Sequence, residues 1–182
     1  MKHFLHKYRA IILALAVMAA WSAIFLLIPA DTIIANIGVE NSYLVSFIIS
    51  LAAGWSFLTG TTAYATVIEF SRGGSDPLLL GIISGIGLFL SDTFFYWLAI
   101  RGRSSIEARF HHTLKKIQDF IERVPDPVVY IGVYLFCAFG PIPNDVILIA
   151  LVVAGYKYKR FWPFMLAGDV TFMLFLSYLF QQ

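Results

Sequence analysis

Long apolar runs separated by short polar segments make up most of this chain. Residues 10–28, 77–100 and 161–180 are continuous runs, whereas residues 43–70 and 127–156 are apolar runs with a break near the middle. A helix of about 20 apolar residues is long enough to cross the hydrocarbon core of a membrane. The three continuous runs are therefore predicted to be transmembrane helices.

Glycine, proline and small polar residues interrupt the two other runs, at residues 60–62 (Gly-Thr-Thr) and 140–145 (Gly-Pro-Ile-Pro-Asn-Asp). The arm that leaves the first break, residues 63–70, would rise only about 12 Å as a helix. That is too short for a hydrocarbon core about 30 Å thick. We therefore expect two re-entrant hairpins, 43–70 and 127–156, in preference to further full spans.

Basic residues set the expected orientation, because cytoplasmic loops are enriched in Lys and Arg. All except Arg72 form three clusters: Lys2, Lys7 and Arg9; Arg101, Arg103, Arg109, Lys115, Lys116 and Arg123; and Lys157, Lys159 and Arg160. With all three clusters in the cytoplasm, the N-terminus is cytoplasmic and the hairpins enter from opposite faces. A hairpin followed by a span then occurs twice, as an inverted repeat of the kind found in transporters. Chance similarity between apolar segments is the competing explanation.

The segment 104–124 has a different pattern. Its apolar residues recur at steps of three and four, and basic residues occupy the other faces. We expect a separate amphipathic helix lying on the cytoplasmic membrane surface. The predicted organisation is an N-terminal transmembrane helix and outer loop over 1–42, followed by a membrane domain over 43–182.

Composition supports the same class of protein. Of the 182 residues, 59% are hydrophobic and 13% are charged, against about 25% charged residues in soluble proteins. This indicates an all-α, multi-pass integral protein of the cell membrane. The run 10–28 exceeds the roughly 7–15 apolar residues of a signal peptide, so we expect an uncleaved span. The single Cys137 has no partner for an internal disulfide and does not indicate a redox compartment.

Four acidic residues fall within or beside apolar runs: Glu69, Asp92, Asp145 and Asp169. Acids at membrane depth are costly, so each is a candidate proton-coupling or substrate-binding residue. Simpler explanations compete with this one. Asp145 suits a helix N-cap, and Glu69 lies near the outer interface. Asp92 has neither explanation and is the strongest candidate.

The breaks also suggest a place for phosphate. A returning half-helix would begin at Thr61 and Thr62 in one hairpin and at Asn144 in the other. Helix N-termini attract anions, so these residues are candidates for binding a lipid headgroup. Arg101 and Arg103, directly after the run 77–100, complete the set.

Signatures of enzymes, cofactors and metal sites are missing from the sequence. There is no Cys–His pair, no Gly-x-Ser-x-Gly and no His cluster with metal-ligand spacing. Nucleic-acid binding is not supported either. We expect a protein that is not an enzyme and needs no cofactor.

Several short motifs resemble the DedA family, also called VTT-domain or SNARE-associated Golgi proteins. They are residues 87–96 (Gly-Leu-Phe-Leu-Ser-Asp-Thr-Phe-Phe-Tyr), 101–103 (Arg-Gly-Arg), 139–143 (Phe-Gly-Pro-Ile-Pro), 154–155 (Ala-Gly) and 164–168 (Phe-Met-Leu-Ala-Gly). The resemblance covers the chain from about residue 43 onward. It implies opposed re-entrant helices and movement of lipids, or of a lipid-linked phosphate, across the membrane.

The chain departs from the family pattern at two places. Thr61 and Thr62 stand where the first hairpin tip often carries an acid, and the second hairpin lacks a common arginine. The expected function is translocation of a lipid or lipid-linked phosphate between leaflets, with protons as the coupling ion and membrane lipids as partners. The alternatives are a proton-coupled carrier of a small solute and a non-transporting membrane organiser. The sequence leaves open whether the protein forms a homo-oligomer.

Overall fold

The computed structural model describes residues 36, 38–53, 57–140 and 144–181. It gives the backbone alone at 40, 57–59, 102–122, 145 and 146. The predicted N-terminal span 10–28, and the orientation predicted from the chain's N-terminus, lie outside the described residues.

The described residues form an all-helical fold, as predicted. The helices are α1 (Val39–Leu51), α2 (Phe57–Arg72), α3 (Pro77–Glu122), α4 (Asp126–Phe139), α5 (Asp145–Val153) and α6 (Tyr158–Leu179). Helices α3 and α6 make the most extensive contact and form the centre of the bundle. Helices α1 and α5 pack on α3, and α4 packs on α6.

Two of these helices are long and apolar enough to cross a membrane: the segment Pro77–Arg101 of α3, with 25 residues, and α6, with 22 residues. The other arms are shorter. The 13, 16, 14 and 9 residues of α1, α2, α4 and α5 correspond to about 20, 24, 21 and 14 Å at 1.5 Å per residue. Each is shorter than a membrane core about 30 Å thick.

Helix α3 differs from the sequence prediction, because it runs without interruption for 46 residues, about 69 Å. The expected boundary between a span ending at 100 and a surface helix starting at 104 does not exist. No proline follows Pro77 within the helix, and Gly102 alone costs only about 1 kcal/mol in a helix interior. Ser104 and Glu107 have the spacing of a capping box, but no helix starts there.

The first break also lies elsewhere than predicted. The chain turns after Leu51, at Ala52 and Ala53, and α2 already begins at Phe57. Thr61 and Thr62 consequently lie inside α2 and do not begin a half-helix, because a single glycine such as Gly60 is tolerated within a helix. The second break was placed correctly: α5 begins at Asp145.

The turn between α2 and α3 is built from local signals. Gly74 has a left-handed backbone (φ 93°) that ends α2, and the Ser75 N–H donates to the Phe70 carbonyl at 3.1 Å. Asp76 Oδ1 accepts a hydrogen bond from the Leu79 N–H at 2.9 Å, which caps α3. Pro77 occupies the first helical position, where a missing N–H costs nothing.

Two glycines allow α3 and α6 to approach closely. A Cβ added at Gly81 would lie 2.8 Å from Cα of Leu174, and one at Gly85 would lie 2.6 Å from Cα of Val170. Gly81 and Gly85 are four residues apart, on one face of α3. They form the small-residue contact by which membrane helices pack closely.

Glycines also allow the outer helices α1 and α4 to approach α3 and α6 closely. A Cβ added at Gly87 of α3 would lie 2.8 Å from the Phe47 carbonyl oxygen of α1, and one at Gly168 of α6 would lie 2.5 Å from Cβ of Cys137 in α4. Both glycines are therefore required for the observed separation of their helices. Gly168 is followed directly by Asp169.

Buried serines hold the end of the bundle that contains the start of α3. The hydroxyls of Ser46 and Ser84 lie 2.6 Å apart, and Ser177 Oγ donates to the Pro77 carbonyl at 2.8 Å. Ser71 Oγ donates to the Ser177 carbonyl. Such bonds satisfy polar groups that have no access to water.

Large apolar side chains cover much of the outside of the bundle. On α3 and α4 the exposed ones follow helical spacing: Ile86, Leu90, Phe94 and Leu98; and Val128, Ile131, Leu135 and Phe139. A helix of a water-soluble bundle carries polar side chains on its outward face. These outward faces are apolar.

Candidate functional site

Three polar side chains meet in the interior where α3, α6 and the start of α5 converge. The amide nitrogen of Asn144 donates to Oδ2 of Asp92 at 2.7 Å and to Oδ1 of Asp169 at 3.0 Å. The two hydrogens of one amide thus serve two carboxylates. We call Asp92 and Asp169 the acid pair, and Asn144 its bridge.

Each member is positioned by a different element. Asp92 lies about 22 Å along α3 from Pro77, and Asp169 follows the close-contact glycine of α6. Asn144 occupies the N-cap position of α5, yet its side chain makes no cap hydrogen bond. An N-cap asparagine ordinarily bonds the helix backbone, so here the side chain serves the two acids instead.

The acid pair is shielded from solvent. Asp92 is 2% exposed and Asp169 is fully buried. Asp169 Oδ2 has no hydrogen-bond partner of good geometry among the described residues, although the Cys137 thiol lies beside this carboxyl. The group that faces Asp169 from α4 is therefore a weak donor.

The electrostatics of this arrangement are unusual. Both carboxylates lie within hydrogen-bond distance of the same nitrogen, so two like charges would be only a few ångströms apart in a medium of low dielectric constant. The sequence places no Lys, Arg or His in 77–100, 127–156 or 161–180. A proton shared by the two carboxyls removes this repulsion, as in other closely spaced carboxyl pairs.

Glu69 lies apart from the other acids. It forms an ion pair with Arg72 at 3.4 Å, in which both side chains are partly exposed. The Arg72 guanidinium lies 5.8 Å from the ring centroid of Phe180. These contacts place Glu69 at the end of the bundle where α3 starts, away from Asn144.

The other predicted residues do not join the acid pair in the part of the chain described. Thr61 and Thr62 are half-buried within α2. Arg101 is exposed, about 14 Å along α3 from Asp92. The side chains of Arg103 and Asp145 lie outside the described residues.

A group of tyrosines lies at the opposite end of the bundle from Glu69, next to exposed Lys157, Lys159 and Arg160. The rings of Tyr96 and Tyr158 lie 5.2 Å apart. Tyrosine rings beside basic residues are typical of a membrane–water interface. This end carries basic clusters that the sequence analysis predicted to be cytoplasmic.

Hydrogen bonds order this tyrosine group. Tyr96 donates to the Tyr156 carbonyl at 2.9 Å, and Tyr156 donates to Asp126 Oδ1 at 3.0 Å. Arg160 pairs with the same carboxylate at 3.3 Å. Burial raises the pKa of the Tyr156 phenol, and its hydrogen bond to Asp126 raises it further.

An open apolar groove of about 500 Å³ begins at the tip of α4 and follows the second half of α6. Its lining is almost entirely apolar and consists of Phe139, Thr171, Leu174, Phe175, Tyr178 and Leu179. The hydroxyl of Thr171 is 3.4 Å from that of Tyr134. Thr171 follows Asp169 by two residues in α6, so the two side chains lie on different faces of the helix.

Sequence reasoning singled out Asp92, Asp169 and Asn144 separately and did not predict that they meet. The available signal was the same for each: a polar residue in an apolar run. That signal did not identify Thr93, Tyr158 or Cys137, because hydroxyls and thiols are common in membrane helices and do not carry the cost of a buried acid.

No group of three or more His, Cys, Asp or Glu side chains suited to a metal ion occurs in the described part of the chain. No protein-family model, curated protein or solved structure matches the sequence. The resemblance to the DedA family accordingly stays a prediction from the short motifs.

Proposed function

We propose that this protein is a proton-coupled membrane transporter that moves a lipid or lipid-linked phosphate between leaflets. The observation that carries the proposal is the Asn144 bridge between Asp92 and Asp169. Two buried carboxyls with one shared donor form a site that takes up and releases a proton. The DedA family is the proposed family.

The membrane part of the proposal rests on length and exposure. Two helices are long enough to span, and the outward faces of α3 and α4 are apolar. The pairs α1–α2 and α4–α5 are each built from arms shorter than a membrane core. Paired short arms suit re-entrant hairpins, whose irregular tips are tolerated when protein covers them.

The acid pair supplies a reason for coupling. When both carboxyls are ionised, they repel any anionic group that approaches the start of α5. A bound proton lowers this negative charge, and the N-terminus of α5 then favours a phosphate. Proton and anionic headgroup would thus bind together and move together.

The groove along α6 supports a lipid as cargo. It is apolar, it opens to the outside of the bundle, and it runs from the tip of α4 along α6, the helix that carries Asp169. A headgroup at the tip of α4 could keep its acyl chains in this groove. A small water-soluble solute would gain nothing from binding to an apolar groove.

The headgroup site differs from the one predicted from the sequence. Two opposed helix tips were expected to hold phosphate, but Thr61 and Thr62 lie within α2. The proposal therefore places the headgroup at the Asn144 tip alone, with Arg101 and Arg103 at the cytoplasmic surface.

The test is transfer of labelled phosphatidylglycerol between leaflets of vesicles that contain the purified protein, with and without a pH gradient. We expect transfer that depends on the gradient in the wild type and in Glu69→Gln, whose carboxyl lies outside the acid pair. Asp92→Asn should abolish the gradient dependence. Gradient-dependent transfer by Asp92→Asn would refute proton coupling through this site.

A further inference from the structure

Helices α4 and α6 lie side by side and run in the same direction. Their successive contacts pair residues that are 34 positions apart in the chain: Asp126 with Arg160, Tyr130 with Phe164, and Tyr134 with Gly168. The rings of the middle pair are stacked, with centroids 5.4 Å apart. Because the contacts repeat every four residues, a single face of each helix forms the interface. We call this interface the α4–α6 seam.

Only one side of α4 faces the rest of the bundle. Among the described helices it packs closely along α6 alone, whereas α5, the other arm of the hairpin, packs on α3. Val133, Cys137 and Ala138 are buried on the inner side of α4, and its outward face is apolar and exposed. Helix α4 can therefore move away from α6 without separating α3 from α6 or α5 from α3.

The seam separates the apolar groove from Asp169. Thr171 is the groove residue nearest to Asp169 in α6, and its hydroxyl lies 3.4 Å from that of Tyr134 across the seam. One turn back along α6, Gly168 touches α4 so closely that an added Cβ would lie 2.5 Å from an α4 side-chain carbon. No acyl chain or headgroup fits between the helices at this point while the seam is closed.

Polar bonds close the seam at the surface of the bundle. The Asp126 carboxylate accepts a hydrogen bond from the Tyr156 hydroxyl at 3.0 Å and pairs with Arg160 at 3.3 Å. Asp126 is the first residue of α4, and Arg160 lies in the first turn of α6. Both charged side chains are exposed, so water can replace the bonds when they break. We call these three residues the clasp.

We propose that the α4–α6 seam is the lateral entrance through which a lipid headgroup passes from the groove to the acid pair, and that the clasp holds this entrance shut. The inference rests on the proposed function, since it names the path of the cargo. Movement of α4 away from α6 would extend the groove past Thr171 and expose Asp169. The acyl chains would stay outside, against the apolar surface of the bundle.

Cys137 reports the opening of the seam. It is the single cysteine of the chain, it lies on the inner side of α4, and it is 4% exposed. N-ethylmaleimide enters membranes and should modify this thiol only when α4 moves away from α6. The experiment uses the full chain in vesicles of phosphatidylethanolamine and phosphatidylglycerol at constant pH. Mass spectrometry gives the rate of modification.

Asp126→Ala removes both bonds of the clasp. We expect it to raise the modification rate about threefold to tenfold, as for loss of an exposed ion pair and a hydrogen bond. Tyr156→Phe and Arg160→Gln each remove one bond and should have smaller effects in the same direction. Asp76→Ala is the matched control, because it removes an exposed carboxylate that caps α3 at the other end of the bundle. It should leave the rate at the wild-type value.

A second measurement asks whether the lipid uses the seam. Protein modified at Cys137 carries the adduct between α4 and α6. We therefore expect its transfer of labelled phosphatidylglycerol between leaflets to fall to the rate of vesicles without protein. Cys137→Ala, compared with its own untreated rate, should not respond to the reagent.

Equal modification rates in the wild type and Asp126→Ala would overturn the clasp. An equal rise in Asp76→Ala would overturn it too, because the effect would then reflect general destabilisation. Undiminished transfer by the modified protein would overturn the entrance and leave the proposed function standing. If untreated wild-type protein moved no lipid, the proposed function would fail and the entrance with it, so the two failures are distinguishable.

Discussion

The bond between Asn144 and Asp92 allows a quantitative test of the acid pair. Asn144 connects the tip between α4 and α5 to α3 through a hydrogen bond of 2.7 Å. A hydrogen bond to a charged group contributes about 1.5–3 kcal/mol, against about 0.5–1.5 kcal/mol between neutral groups. With Asp92 ionised, the coupling free energy between the two side chains should therefore be about 1.5–3 kcal/mol.

The assay is a double-mutant cycle on the free energy of unfolding in mixed micelles. The cycle uses Asn144→Ala, Asp92→Ala and the double variant, because each single change removes the bond without adding a new one. Near neutral or alkaline pH we expect the double variant to be less destabilised than the sum of the single variants. In acid the coupling should fall toward about 1 kcal/mol, since a neutral carboxyl accepts a weaker bond.

The control cycle combines Asn144→Ala with Glu69→Ala. Glu69 pairs with Arg72 at the other end of the bundle, so these changes should be additive within about 0.5 kcal/mol. If the Asn144–Asp92 cycle were equally additive, the bridge would contribute nothing measurable. The Asn144 amide would then not stabilise the acid pair.

Three further predictions concern packing, capping and pH. Gly168→Ala should destabilise the fold by about 1–3 kcal/mol through overpacking. Gly132→Ala, with nothing within 4 Å of the added Cβ, should instead stabilise it by about 0.5–1 kcal/mol. Equal effects of the two variants on the unfolding free energy would contradict the close contact at Gly168. Asp76→Ala should cost about 1 kcal/mol of unfolding free energy through loss of the α3 cap, and Asp76→Asn should retain most of it. Burial and the bond to Asp126 raise the pKa of Tyr156 in the folded state. As the pH rises, the Tyr156 phenol therefore loses its proton first in the unfolded state. The free energy of unfolding should consequently fall as alkaline pH rises through the folded-state pKa. Tyr156→Phe should reduce that alkaline loss in a pH series of unfolding measurements, and an unchanged profile would count against the shift.

The helical class and the two long helices follow from the apolar runs, since hydrophobic length is a strong local signal. The start of α3 also follows, because Asp76 and Pro77 are a cap and a first-turn residue that act within their own segment. The start of α5 was predicted from the Gly-Pro-Ile-Pro break that precedes it, which is also a local signal. These features depend on residues next to one another in the chain.

Sequence reasoning missed two kinds of feature: which of two neighbouring segments breaks the helix, and which residues from distant parts of the chain meet. The chain turns at two alanines, Ala52 and Ala53, which carry no turn signal, whereas Gly60 looked like a break and lies within α2. The convergence of Asp92, Asn144 and Asp169 depends on the packing of α3, α5 and α6, in which Gly85 sets the close approach of α3 and α6. Nothing local to any of the three residues encodes that meeting.

The central claim is that lipid and proton movement are coupled, and coupling is reciprocal. The most direct measurement therefore starts with vesicles that have phosphatidylglycerol in one leaflet only, no pH gradient, and a pH-sensitive dye inside. The account predicts a change of internal pH as the lipid redistributes through the wild-type protein, and no such change with Asp92→Asn. Lipid redistribution through the wild type at constant internal pH would contradict it.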